Sequence, residues 1–428
     1  MNDLKIAVPA SSRAEKVQKV IAPCGVEAWL VEDYAVPIVA LDLAFGGGSS
    51  QDPPGKGGAT TMLSALLDEG AGDLDGEAFH RALDDDAIEL SFSANRDIVS
   101  GHMRTLAAHV GQAFHMLGLA VQAPRLDADS VERVRAQLLA GLKRETNDPD
   151  SLAARTFRAI AFPNHPYGLP GRGDLTTVAH VTRADLVALH GSIFARDNVK
   201  IAVVGAIDAK TLEGLLETCF GPLPAQNSIT RPTMATLQGV GTRQVVDLDL
   251  SQSTLRFGRP GISRKDPDFM AAVVANHILG GGVFSARLFL EVREKRGLAY
   301  TVYSQLASFD HADILMGATS TKNERALESL EVIQAEIRAM GRDGPSLAEV
   351  EKARKYLVGS YALRFDTSTK IAGQLVGLQL EGYDVSYLDN RNRLIESVSL
   401  EDAIRASERL FGNGELLVVA AGRPVGMA

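Results

Sequence analysis

Apolar and polar positions along the chain switch between two periods, and the order of the switches occurs twice. AIELSFSANRDIV keeps period two through Ile88, Leu90 and Phe92, as a half-buried strand does. PIVALDLAFGG and STLRFGRPG read as further strands. The segment VTRADLVALHGSIFARDNVKIAVVG, from Val181, and the segment VSLEDAIRASERLFGNGELLVVAAG, from Val398, follow one plan. Each opens with an S/T-x-x-D cap, Thr182 with Asp185 or Ser399 with Asp402, which satisfies the free N–H groups of a helix start. A helix follows, then a continuous apolar strand, VKIAVVG or LLVVAAG. The offset of 217 also pairs Phe194 with Phe411, Gly205 with Gly422, Glu132 with Glu349 and Ala136 with Ala353. Upstream, Asp52-Pro53 answers Asp266-Pro267 at a slightly shorter offset, each pair after a strand. Register held at three separated places marks an internal duplication.

Within a half the order reads strand, strand, helix, strand, strand, long helices, strand. That order predicts an α+β fold of two homologous halves, each a largely antiparallel β-sheet with helices packed on one face. The expected domains are residues 1–222 and 239–428. The linker, about residues 223–238, falls in GPLPAQNSITRPTMATLQ, a segment with three prolines and no apolar period.

Composition narrows the functional classes. The 428 residues carry 53 acidic and 44 basic side chains, a net charge of −9, with no Lys/Arg-rich run, which argues against nucleic-acid binding. Two cysteines, Cys24 and Cys219, exclude a disulfide scaffold and a cysteine zinc site and leave one bridge open. No apolar run approaches the roughly eighteen residues that cross a bilayer. The polar start MNDLKIAVPASSRAEKVQKV is unlike a signal peptide, so the chain is expected to be cytoplasmic, or periplasmic if a leader has been removed.

Candidate chemistry is sparse. No H-E-x-x-H, H-x-x-E-H, phosphate loop or G-x-S-x-G elbow occurs. His102 and His109, seven apart, could share a helix face but have no carboxylate at ligand spacing. His165, in FPNHPYGLPG, reads as a turn-shaping residue, and Asp84-Asp85-Asp86 as a solvated turn. The triplets Gly46-Gly47-Gly48 and Gly280-Gly281-Gly282 read as hinges or turns. The segment that stands out is GGGVFSARLFLEVREKRGLAYTVYSQL. SARLFLEVREKR predicts an amphipathic helix with Leu288, Val292 and Lys295 on one side, ended by a left-handed cap at Gly297. AYTVYSQL predicts a strand. The reversal between them lets Arg293 and Tyr300 converge as a donor pair for a carbonyl oxygen or oxyanion.

On these segments, together with HPYGLPGRGDLTTVAHVTRADL and GGATTMLSALLDEGAGD, nearly the whole chain resembles the pitrilysin (insulinase-like) metallopeptidases. The resemblance implies that Arg293 and Tyr300, spaced as in that family, bind the substrate's peptide carbonyl and help stabilise the tetrahedral intermediate. Active members carry H-x-x-E-H on a first-half helix, with a downstream glutamate as third zinc ligand. Aligned on Gly70, that motif falls on Thr61-Met62-Leu63-Ser64-Ala65, so Thr and Ala replace the histidines and Ser64 the glutamate. Near the third ligand only Glu145 is acidic, about a turn late. The resemblance therefore implies a chain with no metal or cofactor of its own. Zinc is expected in a partner, a homologous H-x-x-E-H subunit that closes with this one around a peptide or unfolded-protein substrate. The linker and glycine triplets would serve the closure. A structural or assembly protein that kept the fold without proteolysis is the alternative. A self-sufficient hydrolase with other ligands has no ligand set to support it.

Overall fold

The computed structural model describes residues 12–427. The first half contributes β1 (Gln18–Ile21), β2 (Glu27–Glu32), β3 (Ile38–Gly46), a two-strand hairpin of β4 (Gly70–Ala71) and β5 (Leu74–Asp75), then β6 (Glu89–Ala94), β7 (Ile98–Leu106) and β8 (Val199–Gly205). The second contributes β9 (Arg243–Asp247), β10 (Gln252–Pro260), β11 (Ala299–Phe309), β12 (Ala312–Lys322) and β13 (Leu417–Gly422). The first sheet runs β1-β2-β8-β3-β7-β6 and the second, read the same way, β9-β13-β10-β12-β11. Five strands thus repeat in one spatial order, and β1 is an addition to the first half. Only β2 with β8 and β9 with β13 pair in parallel; every other ladder of the two sheets is antiparallel. The duplicated caps close as expected: Thr182 with Asp185, and Ser399 with Asp402, form complete capping boxes.

The α+β class and the two halves stand, with an addition that explains the continuous apolar strands. In β8, Ile201 and Val203 point into the first half's main core, while Ala202 and Val204 point to the opposite face. That opposite face is covered by Ala372, Leu375 and Val376 of the helix Ser368–Leu380, which belongs to the second half. The second sheet is treated in the same way. Val418 and Ala420 of β13 enter the second core, and Leu417, Val419 and Ala421 pack on Ala153, Phe157 and Ala161 of the first-half helix Pro149–Ala161. A strand buried on both faces has no polar side to show. Each half therefore lends one crossing helix to the other's sheet.

The sheets also meet directly. Tyr167, fully buried, donates from its hydroxyl to Asp97 in the β6–β7 turn (2.6 Å) and accepts from the N–H of His311 in the β11–β12 turn (3.0 Å). Burial and the neighbouring Asp97 keep that phenol protonated far above its usual range. Between the helix Ala209–Phe220 and β9 the chain is irregular, but it is not loose. Ser228 N–H bonds Ser192 (3.1 Å), Ala235 N–H bonds His311 (2.7 Å) and Gln238 N–H bonds Ala161 (2.9 Å). The linker is stitched to both halves. The glycine triplets are not free joints. A side chain at Gly48 would collide with the Asn95 carbonyl, and one at Gly280 with Ser304, so both glycines allow close approach.

Candidate functional site

The segment after Ser285 forms a helix that widens into a π turn over Phe289–Glu294. Lys295 N–H bonds the carbonyl of Leu290, five residues back (2.9 Å), the π pattern. Leu288 and Val292 are buried in the second core as expected. Lys295 is not on their side. The extra residue in the turn rotates it outward, where it pairs with Glu291 (2.5 Å). Gly297, at φ +57°, ends the element in the left-handed conformation that glycine adopts at no steric cost. The backbone then enters β11.

β11 begins with an irregularity. Ala299 stands opposite Thr321 and Val302 opposite Thr319, so one extra residue bulges at Tyr300–Thr301. Bulges re-aim side chains, and Tyr300 is 80% exposed. The guanidinium of Arg293 lies 4.5 Å from the Tyr300 ring centre and 4.8 Å from that of Phe289. The reversal thus brings Arg293 and Tyr300 together, with the cation held between two aromatic faces. Its nearest carboxylate, Glu294, is 3.9 Å away. β11 is the last strand of its sheet, so its outer N–H and C=O groups have no strand partner. Tyr300 to Leu306 line a groove of about 890 Å³ between that edge and the crossing helix Ser368–Leu380.

Three residues outside the sequence reading hold this wall in place. Arg287 makes a two-pronged ion pair with Glu349 (2.7 and 2.8 Å), tying the π segment to the helix Leu347–Tyr361. Those bonds pull the Glu349 carboxyl down to about 2. Ser304 donates to Asn276 Oδ1 (2.8 Å) and Asn276 Nδ2 donates to the Ser304 carbonyl (3.3 Å), fixing β11 to the helix Phe269–Asn276. That helix runs on into a second π turn, His277–Gly281, which also lines the groove.

In the first half the helix Ala59–Ser64 carries Thr61 to Ser64 of the segment aligned above with H-x-x-E-H. Asp52 caps it, accepting from Gly58 N–H (2.7 Å) and from Thr60 N–H (2.8 Å) and Oγ1 (2.6 Å). Burial raises the Asp52 carboxyl to about 6 against the pull of those bonds. Ser64 is buried and donates to the Thr61 carbonyl (2.9 Å); Thr61 faces the Gly171 carbonyl (3.4 Å). Ala65 offers no donor, and Leu138 and Leu142 of the helix Ala128–Glu145 are buried in the core. Glu145 ends that helix and is bonded to Arg172. This donor set does not fit zinc. Among the described residues no group of three or more His, Cys, Asp or Glu side chains comes together.

The remaining candidates have local partners. His102 lies on strand β7, not on a helix shared with His109, and bonds the buried Asp42 of β3, which raises its pKa. His109, in the turn after β7, pairs with Asp86 (2.8 Å). His165 Nδ1 accepts from Tyr167 N–H (3.1 Å) and its Nε2 bonds the Thr233 carbonyl (3.0 Å). Cys24 and Cys219 are free thiols. Among the described residues no helix is long and apolar enough to cross a membrane.

Two halves thus repeat one strand order, one with a helix that offers no zinc ligand and one with an Arg–Tyr pair at a free sheet edge. Residues 180–357 match the family described as "Peptidase M16 inactive domain". A peptidase M16 inactive domain from Pseudomonas fluorescens has a similar structure, with a TM-score of 0.90 and 28% identity over 96% of this chain and 99% of that one. The "Non-peptidase homolog YmxG" of Helicobacter pylori is 24% identical over 87% of this chain and 86% of its own. An uncharacterized zinc protease of Mycobacterium tuberculosis is 27% identical over 88% of this chain and 86% of its own. Residues 180–357 thus match the inactive domain of the peptidase M16 family, and nearly the whole chain is similar in fold to a solved domain of that description.

Proposed function

We propose that the chain is the zinc-free subunit of a pitrilysin-type peptidase heterodimer, and that it grips the substrate which its partner cuts. The observation that carries this reading is the convergence of Arg293 and Tyr300 at the start of the unpaired edge of β11. An extended peptide adds to such an edge as a further strand, and main-chain hydrogen bonds supply affinity with little sequence preference. At the Tyr300 end, the guanidinium and the phenol hydroxyl are donors for one peptide carbonyl. They hold its oxygen in the ground state and more strongly as negative charge develops on it. Hydrolysis itself belongs to the partner, an H-x-x-E-H subunit with its own zinc. A purely structural chain has no use for an arginine stacked on an exposed tyrosine beside a free strand edge, with its nearest carboxylate beyond hydrogen-bonding distance.

The test is co-expression with an H-x-x-E-H protein encoded beside this one. The two are expected to co-purify and to cleave a denatured protein, while this chain alone holds no zinc and cleaves nothing. One equivalent of zinc together with cleavage by the isolated chain would overturn the assignment.

A further inference from the structure

The groove along β11 has a charge that the rest of the chain does not. The protein is acidic, at −9 overall, yet four arginines and a single carboxylate line this groove. The carboxylate, Glu381, is taken by Arg264 (3.0 Å). That leaves Arg293, Arg364 and Arg391 without a carboxylate within hydrogen-bonding distance among the described residues. Arg391 is buried on the ring of Tyr361 (4.6 Å) and gives its Nη1 to the Leu357 carbonyl and to Asn392. Arg364 is exposed beside it, and after burial it is the largest influence lowering the Arg391 pKa.

A smaller excess of the same sign, six basic side chains against five carboxylates, continues past the far end of the strand. A second cleft, of about 1000 Å³, is lined by Ser308, Phe309 and Asp310 at the end of β11 and shares Arg264, Gly377 and Glu381 with the groove. Arg96 and Arg158 line it, half-buried, and no carboxylate among the described residues pairs with either. Their Nε atoms are buried without a hydrogen-bond partner. Burial, then the charges of Arg96 and Arg256, pushes Arg158 down to about 10. Of the five carboxylates there, Asp97 accepts from Tyr167, Glu145 from Arg172 and Glu381 from Arg264, burial and the charge of Asp97 raise the Asp310 carboxyl, and Asp313 is the fifth. Gathering like charges in a partly desolvated cleft costs stability unless an opposite charge arrives, and such a cleft focuses the field on whatever enters.

We infer that the peptide taken along β11 is acidic, its carboxylates facing Arg364 and Arg391 and, beyond Phe309, Arg96 and Arg158. The inference rests on the strand-addition reading above and names the substrate class for that site. β11 spans eleven residues, so the strand that covers it is of similar length.

The test uses the full chain and three fluorescein-labelled ten-residue peptides, alternating Val with Glu, Val with Ser, or Val with Lys. Binding is read by fluorescence anisotropy. The Glu peptide is expected to bind about tenfold more tightly than the Ser peptide, with the Lys peptide weakest. That gap should close as ionic strength rises from about 0.02 to 0.3 M, because screening shortens the reach of the arginines. Arg364→Glu should reduce the preference for Glu over Ser to about twofold or less. Arg364→Gln, checked by circular dichroism, guards against a misfolded variant and should give an intermediate preference. Equal affinity for all three peptides, or the reverse order, overturns the acidic substrate and leaves strand addition standing. No binding of any peptide up to about 1 mM, far weaker than specific recognition, overturns strand addition and the acidic substrate together.

Discussion

β6 and β11 hold the same place at the free ends of their sheets, and they have been treated in opposite ways. β6 pairs with β7 in unbroken register, and its first residue, Glu89, is tied to Arg104 across the ladder. β11 is interrupted at its second residue, and the bulge turns Tyr300 out beside Arg293. Against β6 stand two ordinary helices, Ala59–Ser64 and Gly76–Asp85; behind β11 stand two π turns and a glycine pressed on Ser304. The helix Ala59–Ser64 shows the converse. It retains its Asp52 cap and its core contacts but carries no zinc donors. Folding and chemistry are thus separable within one duplicated plan. The first half keeps what holds the helix in place, and the second half bears irregularities that turn Tyr300 outward beside Arg293.

The comparison can be broken hardest at what the halves share. Phe157→Ala and Leu375→Ala each empty the apolar contact of one crossing helix. Phe157→Ala should cost about 3–5 kcal/mol and Leu375→Ala about 2–5 kcal/mol by urea denaturation. Each should raise hydrogen exchange first in the sheet of the opposite half; loss confined to the helix's own half would contradict the exchange.

Next in size is the grip itself. Arg293→Ala should lower turnover of the assembled heterodimer about a hundredfold with assembly intact, the scale of a lost oxyanion donor. Normal turnover would remove Arg293 from the reaction.

The paired aspartates sharpen the contrast through pH. Burial raises folded Asp52 to about 6, above the ordinary ~3.9 of an unfolded aspartate. Between those values the folded state binds more protons, so the stability from this group falls as pH climbs from about 4 to 6, by at most about 3 kcal/mol. Asp266 behaves oppositely. Its bonds to Arg409 hold its carboxyl below the usual range, so its contribution is present above about pH 3.9 and lost as pH falls through the depressed value. Asp52→Asn should flatten the first slope and Asp266→Asn the second, in urea titrations at a series of pH values. Parallel changes would mean that the two Asp-Pro turns do the same work.

The smallest effect is expected from Tyr300→Phe. It keeps the ring over Arg293 and removes one hydroxyl, a loss of about 0.5–1.5 kcal/mol, or about three- to tenfold in kcat/KM.

What was legible in the chain was what neighbours in sequence decide. The capping boxes, the Gly297 cap, the strand after it and the offset of the two copies all depend on residues within a few positions of each other. The π turns were not legible, since the same side chains suit an α-helix and only Lys295, facing outward, reveals the extra residue. The bulge at Tyr300 depends on the register with β12, a partner that no local pattern names. A spacing of seven suits one helix face for His102 and His109, but the alternation around His102 belongs to a strand: Gly101, Met103 and Thr105 are buried and His102, Arg104 and Leu106 are exposed. The stripe Ala153, Phe157 and Ala161 announces a buried helix face but not which sheet receives it.

That last feature reaches beyond packing. Because each copy roofs its sibling, a gene severed at the joint would yield two fragments, each with a bare sheet face and an orphan apolar helix prone to clump. With two cores shared between the halves, the polypeptide is expected to denature as one cooperative block. The ancestral repeat can no longer be undone without rebuilding both surfaces at once.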